Sequence, residues 1–233
     1  MTTSGTTIFD LDIVFLIEEA YEQCGIESRS GYDMRTARRS LDLMFLDWAN
    51  RGLNMWTIEQ REQALTSGDG EYQLDADIVD LVEHVVRVPN TTDITDYELV
   101  RVSLTTYATQ TAKELSGRPT QIYIDRQRQG PVVHLWPIPE QSGYILVYWV
   151  LRRIEDAGVF TNTVDAPFRF LPALTHGLAY YLARKKAPGN TELIARLKGE
   201  YEEVWQRAAD EDREKAPLAL VPRPDTYRVG RYR

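Results

Sequence analysis

Residues Thr36 to Trp56 read TARRSLDLMFLDWANRGLNMW, and the spacing within this stretch decides how the rest of the chain is taken. Met34, Ala37, Leu41, Met44, Phe45 and Trp48 recur at steps of three or four, which puts them on one face of a helix. Leu43 and Leu46 add a neighbouring stripe. A helix apolar over that much of its girth is expected to be covered on more than one side. Arg51 and Gly52 bring a cation for the last turn and a residue suited to a left-handed cap. Leu53, Met55 and Trp56 follow as an apolar hook that needs a pocket. By themselves these residues describe a core helix and carry no chemistry.

Upstream, Asp10 is placed to cap a first helix running to about Cys24 and stopped by Gly25. Ile13, Leu16, Ile17, Ala20, Tyr21 and Cys24 make its inward stripe. After a loop at 28–31, Asp33 is placed to cap the second helix, and the short link predicts an antiparallel helical hairpin. Downstream the period changes. Residues 57–65 alternate, Ser67-Gly68-Asp69-Gly70 is turn chemistry, and Tyr72 and Leu74 lie on a short return, which predicts a β-hairpin. Val82–Val88 is a β-branched run ended by Pro89, and 90–96 reads as a polar loop. Leu99–Val102 follows as a short strand, and Ser103 opens a helix to about Leu115, stopped by Ser116-Gly117-Arg118-Pro119.

Residues 121–126 and 131–136 flank a turn at 127–130. Both alternating sets of Tyr144–Leu151 are apolar, which predicts an inner strand covered on both faces. Residues 155–167 form a loop. A helix carries Phe168, Leu171, Leu174, Leu178 and Leu182 and ends at Ala187-Pro188-Gly189. A last helix runs from Thr191 to about Lys215 with a charge-dense exposed end. The final stretch has three prolines and no helical period. The order predicts an α+β fold. Its segments are an N-terminal helical hairpin (1–56), a β-rich insertion with one helix (57–155), C-terminal helices completing an antiparallel bundle with the hairpin (156–215) and an extended basic tail (216–233).

Composition narrows the function. A net charge of −8 and an isoelectric point near 5.0 argue against a surface that grips nucleic acid throughout. No run approaches the roughly 20 apolar residues that span a bilayer, so no membrane association is expected. The opening MTTSGTTIFDLD lacks a basic region and an apolar core, so no secretory signal is expected. Cys24 is the single cysteine, on a helix stripe, where a thiol is a small core residue. His84, His134 and His176 have no metal-ligand spacing. Asp75, Asp77 and Asp80 lack the glycine and closing glutamate of a calcium loop and are expected in turn and cap roles. Glu18-Glu19 and Glu202-Glu203 are adjacent on helices, so each pair diverges. No cofactor and no catalytic residue is expected. Two features point outward. Trp136-Pro137-Ile138-Pro139 reads as a strand terminator with a buried indole, with a partner contact as the alternative. The tail interleaves Arg223, Arg228, Arg231 and Arg233 with Tyr227 and Tyr232, which suits an arm that folds onto a partner.

The pattern A-R-R-S-L-x-L-M-x-x-x-W-x-x-x-G-L-x-x-W at Ala37–Trp56, with L-W-P-I-P at Leu135–Pro139, resembles the head-to-tail adaptors of short-tailed phages: the tail tubular protein A type and the related tail accessory factors. The strand at Tyr144–Leu151, the helix around Leu178–Ala183 and the Tyr201–Trp205 segment accompany it, so the likeness spans roughly residues 10–215. Short members of that group are almost wholly helical, and the β-rich insertion makes this chain look closer to the longer tubular type. The resemblance implies a structural virion protein of the neck, assembled in the host cytoplasm. It implies a homo-oligomer, typically a dodecameric ring, docked under the portal protein. Duplex DNA passes through its lumen without specific binding, and a distal tail or nozzle protein is received below. On that reading the tail residues named above grip the portal, and Gly68, Asp69 and Gly70 face the distal tail. The rival readings are a tail-associated cell-wall hydrolase and a monomeric binding module.

Overall fold

A computed structural model describes residues 5, 11–27, 31–52, 55–89 and 94–212. Along it run α1 (Ile13–Gln23), α2 (Gly31–Ala49), a 3₁₀ turn (Met55–Thr57), β1 (Ile58–Ala64), β2 (Glu71–Gln73), β3 (Ile78–Pro89), β4 (Ile94–Glu98) and β5 (Val100–Arg101). Then come α3 (Leu104–Ala108), β6 (Ser116–Gly117), β7 (Gln121–Gln127), β8 (Gly130–Trp136), β9 (Ile138–Pro139), β10 (Ile145–Arg152), a second 3₁₀ turn (Phe168–Phe170), α4 (Leu171–Lys186) and α5 (Thr191–Glu211). The class is α+β, as the sequence predicts.

α1 buries Ile13, Leu16, Ile17, Ala20 and Tyr21 and stops where Gly25 turns to φ 66°. The cap expected at Asp10 lies outside the described residues, and Asp12 holds the N-cap position without a side-chain hydrogen bond. α2 starts before Asp33, so that carboxylate sits in the first turn, where it pairs with Lys186, and is not the cap. Ala37, Leu41, Met44, Phe45 and Trp48 are buried as their spacing requires. Leu43 and Leu46 are exposed, contrary to expectation. The second cover on α2 is a loop on its Arg38/Asp42 side: Arg38 donates to Gly158 O at 2.7 Å, and Asp42 accepts from the Ala157 amide at 2.9 Å. Of the hook, Trp56 packs on Phe170 with centroids 4.6 Å apart, Met55 is exposed, and Leu53 lies outside the described residues.

Residues from α1, α2, α4 and α5 share one core. At its centre Trp48 Nε1 donates to the Tyr201 hydroxyl at 2.6 Å. Gly177 of α4 lies beside them. A Cβ there would stand 2.5 Å from Met44 Sδ and 2.7 Å from Tyr201 Cε2, so α4 meets α2 and α5 more closely than any side chain permits. Cys24 is buried and donates to Ala179 O, and burial pushes its thiol up to about 11, so it is an inert core residue at neutral pH. Phe168, expected on the α4 stripe, is exposed. α5 ends at Glu211, and Asp212 is buried where the sequence predicts an exposed charged turn.

The strands form two four-stranded sheets, ordered β1-β10-β3-β4 and β2-β8-β7-β5, and a two-stranded piece of β6 and β9. Leu146, Tyr148 and Val150 of the first sheet and Ile122, Ile124, Val133 and Leu135 of the second share a separate core. β1 and β2 are not the predicted hairpin. β1 pairs with β10 and β2 with β8, so the turn between them carries the chain from one sheet to the other. β4 lies where a polar loop was expected; it pairs along β3 and contributes half-buried Tyr97. β3 also begins earlier than the Val82–Val88 run, at Ile78. The β7–β8 hairpin is as predicted.

β10 is an inner strand, with one face buried and the other half-covered around buried Val147. Over that second face Arg87 of β3 reaches Glu62 on β1 at 2.8 Å and Asp96 on β4 at 2.9 Å. Ser103 caps α3, its Oγ accepting from the Thr106 amide, but the helix stops at Ala108 rather than Leu115. The second sheet's outer face competes with helix formation there. Tyr107 stacks on Tyr123 and lies tilted against His134, Gln110 donates to Gln121, and Trp136 Nε1 donates to Ala112 O at 2.9 Å. Trp136 is thus half-buried, against the fully buried indole expected, and Ser116-Gly117 joins a sheet rather than ending a helix.

His84 points into the core between the sheets and is held below its usual 6.5, first by burial and then by Arg101, against Glu83, Glu98 and a backbone hydrogen bond to Leu99. The unfolded chain therefore takes up a proton near pH 6.5 that the folded chain refuses. Stability is complete above that pH and falls as the pH drops below it. His84→Gln is expected to flatten urea midpoints measured from pH 7.5 to 5. An unchanged slope would remove His84 as its source.

Candidate functional site

Two motifs that the sequence keeps apart meet at one end of the β sheets. Gly68, at φ 80°, donates its amide to Pro139 O at 2.9 Å, and Ser67 Oγ donates to Glu140 O at 2.9 Å. Gly70 accepts from the Leu135 amide, and a Cβ on Gly70 would lie 3.1 Å from Ile138 Cγ1. Tyr72 closes the turn from below: its hydroxyl accepts from the Thr66 amide at 2.9 Å and donates to Asp69 O at 2.8 Å. The Trp136–Pro137 peptide is cis. Ser67, Gly68, Asp69, Glu140, Gln141 and Ser142 are exposed around this knot. An exposed loop tied at so many points offers a contact surface at low ordering cost.

A second cluster joins the sheets to the helical core. Arg152, at the end of β10, forms a paired contact with Asp165 at 2.5 and 3.0 Å, and the Glu155 amide also donates to Asp165. Trp56 Nε1 donates to Asp165 O at 3.2 Å. Burial raises the Asp165 pKa, but Arg152 and the Glu155 amide outweigh it and hold the carboxylate below its usual 3.8. Nearby, buried Asp212 pairs with Arg169 and accepts from the Met55 amide at 2.8 Å. The sequence missed Asp165 and Asp212, because a lone carboxylate in a loop or at a helix end gives no sign that arginine and backbone amides converge on it.

Of the aspartates weighed as a cluster, Asp75 and Asp77 lie at the turn before β3, where Asp75 O accepts from the Ile78 amide at 3.2 Å, and all three carboxylates also anchor arginines. Asp75 and Asp77 hold Arg61 at 3.1 and 2.5 Å, and Asp80 receives Arg101 and Arg126. Glu202 pairs with Arg51 and Glu203 with Arg207, so the two side chains diverge as their spacing requires. Among the described residues no group of three His, Cys, Asp or Glu could hold a metal ion, and no helix is long and apolar enough to cross a membrane. Arg223, Tyr227, Arg228, Arg231, Tyr232 and Arg233 lie outside the described residues.

Over residues 27–227 the chain matches the family model described as SU10 adaptor protein, a span that takes in α2, α4 and α5, the core between the sheets and the knot at 67–70, and leaves out α1. The chain belongs to the SU10 adaptor protein family. This is a family of phage structural adaptors and not of enzymes. Curated proteins include no match to this adaptor. The match extends past Asp212 to residue 227, so it takes in Arg223 and Tyr227 and stops short of Arg228, Arg231, Tyr232 and Arg233.

Proposed function

We propose that this adaptor is a structural protein of the virion neck. It forms a ring below the portal, continues the DNA channel and gives further tail proteins a platform. The carrying observation is membership of the adaptor family across residues 27–227. The resemblance of Ala37–Trp56 and Leu135–Pro139 to head-to-tail adaptors of short-tailed phages supports the finer assignment. In this reading residues 57–155 act as a unit, and its knot at Gly68, Asp69 and Gly70 meets the distal tail or nozzle protein. The tail from 216 onward clasps the portal.

The net charge of −8 fits a conduit. Duplex DNA carries one charge per about 1.7 Å of axis, and a basic wall would bind its cargo at every step. Assembly takes place in the host cytoplasm, with no cofactor and no membrane involved. Electron microscopy of the protein mixed with its portal is expected to show a ring seated on the portal. Deleting residues 217–233 should leave a folded chain that no longer docks, and unchanged docking would refute the clasp. Portal micrographs with no added density would refute the ring.

A further inference from the structure

The helical layer exposes two ridges of opposite character. Along α1, Phe15 is 58% exposed and is followed on the same face by Glu18, Glu19 and Glu22. Along α2, Arg35 and Arg39 share the exposed face with Leu43 (53% exposed) and Leu46 (59% exposed). Neither arginine, and none of the three glutamates, enters an ion pair among the described residues. Each ridge is therefore a charged run ending in an apolar tip.

The two match in length and order. From Phe15, the carboxylates stand about 5 and 10 Å along α1; from Leu43, the guanidiniums stand about 6 and 12 Å back along α2. Laid antiparallel, Phe15 falls on Leu43 and Leu46, Glu18 and Glu19 on Arg39, and Glu22 on Arg35. A ridge laid on its own kind would instead set like charges against each other, so charge directs α1 onto the α2 of a neighbour; joined head to tail this contact propagates into multimers, whereas a reciprocal two-fold joining stops at a dimer.

We infer that the acidic ridge of α1 in one copy docks on the basic ridge of α2 in the next, so that identical subunits join head to tail through a contact distinct from both portal and tail surfaces. This rests on the reading of the chain as a ring-forming adaptor and names the contact that would build the ring.

Phe15→Cys and Leu43→Cys in the same full-length chain test it, since native Cys24 is buried and inert. Mild oxidation is expected to give a ladder of covalent multimers from the double variant and none from either single variant. Adding Arg35→Glu and Arg39→Glu should slow cross-linking roughly tenfold. Adding Glu18→Arg, Glu19→Arg and Glu22→Arg to that chain should restore it, because both ridges are then reversed together. No ladder, a ladder from either single variant, or no rescue overturns the contact. Coverage of the α1 ridge by the chain's own residues 213–233 would give the no-ladder result. Portal-bound rings seen in micrographs without a ladder would remove this contact and leave the adaptor reading standing. Absence of both would remove both.

Discussion

Trp48→Ala is expected to lower stability by about 4 kcal/mol, the largest effect of any single truncation in the helical core. Trp48 is fully buried, and its ring lies against Phe45 and Phe170, with centroids 6.3 and 5.5 Å away. Removing it opens a cavity that Gly177 cannot fill and leaves the buried Tyr201 hydroxyl without its donor. For a chain of this size the melting temperature should fall by roughly 10 °C. Urea unfolding followed by tyrosine fluorescence or circular dichroism measures it. A loss below about 1 kcal/mol would mean that the core repacks around the gap and that Trp48 is not its keystone.

Asp212→Ala is expected to cost about 3 kcal/mol. The side chain is nearly sequestered, and two groups from different parts of the chain depend on it: the Arg169 guanidinium and the Met55 amide. Truncation strands a cation and a backbone donor at once. Asp212→Asn keeps an acceptor for the amide and should lose less. The ordering of the two variants is thus the diagnostic, read as the shift in urea midpoint. Equal, small losses would show that solvent reaches both groups.

Much of the helical layer was readable in advance because its periodicity is local. The stripe on α1, the buried set on α2 and the Leu197/Tyr201 face of α5 follow from steps of three and four. The β7–β8 hairpin and inner β10 were readable for the same reason, since alternation and a turn lie within a few residues of each other. Pairing between distant segments was not. Ser67-Gly68-Asp69-Gly70 announces a turn but not the partner of either strand, and Ile58–Ala64 finds β10 instead of its neighbour. β4 hid because an edge strand reading Ile-Thr-Asp-Tyr-Glu buries little apolar surface. The helix after Ser103 is shorter than its sequence predicts because the packing of Tyr107 on Tyr123 and His134 outweighs propensity.

The candidate surfaces were legible only as fragments. The turn at 67–70 and the Trp136–Pro139 segment each stood out, yet nothing in their separation along the chain says that Gly68 bonds to Pro139. The stripe at Leu43 and Leu46 predicts a cover that is not found among the described residues. Apolar residues on a helix announce that something must be met without saying whether it belongs to the same molecule.

Ile58 and Leu151, the first residue of β1 and its partner near the end of β10, sit opposite one another in the ladder. The polypeptide thus departs from the helices and comes back to them through adjoining doorposts. On the proposed reading of 57–155 as a unit, whatever is threaded between those posts can be lengthened, shortened or exchanged for another graft without shifting the helices that carry it. Lineages that must suit different tails could then vary the payload and keep the frame.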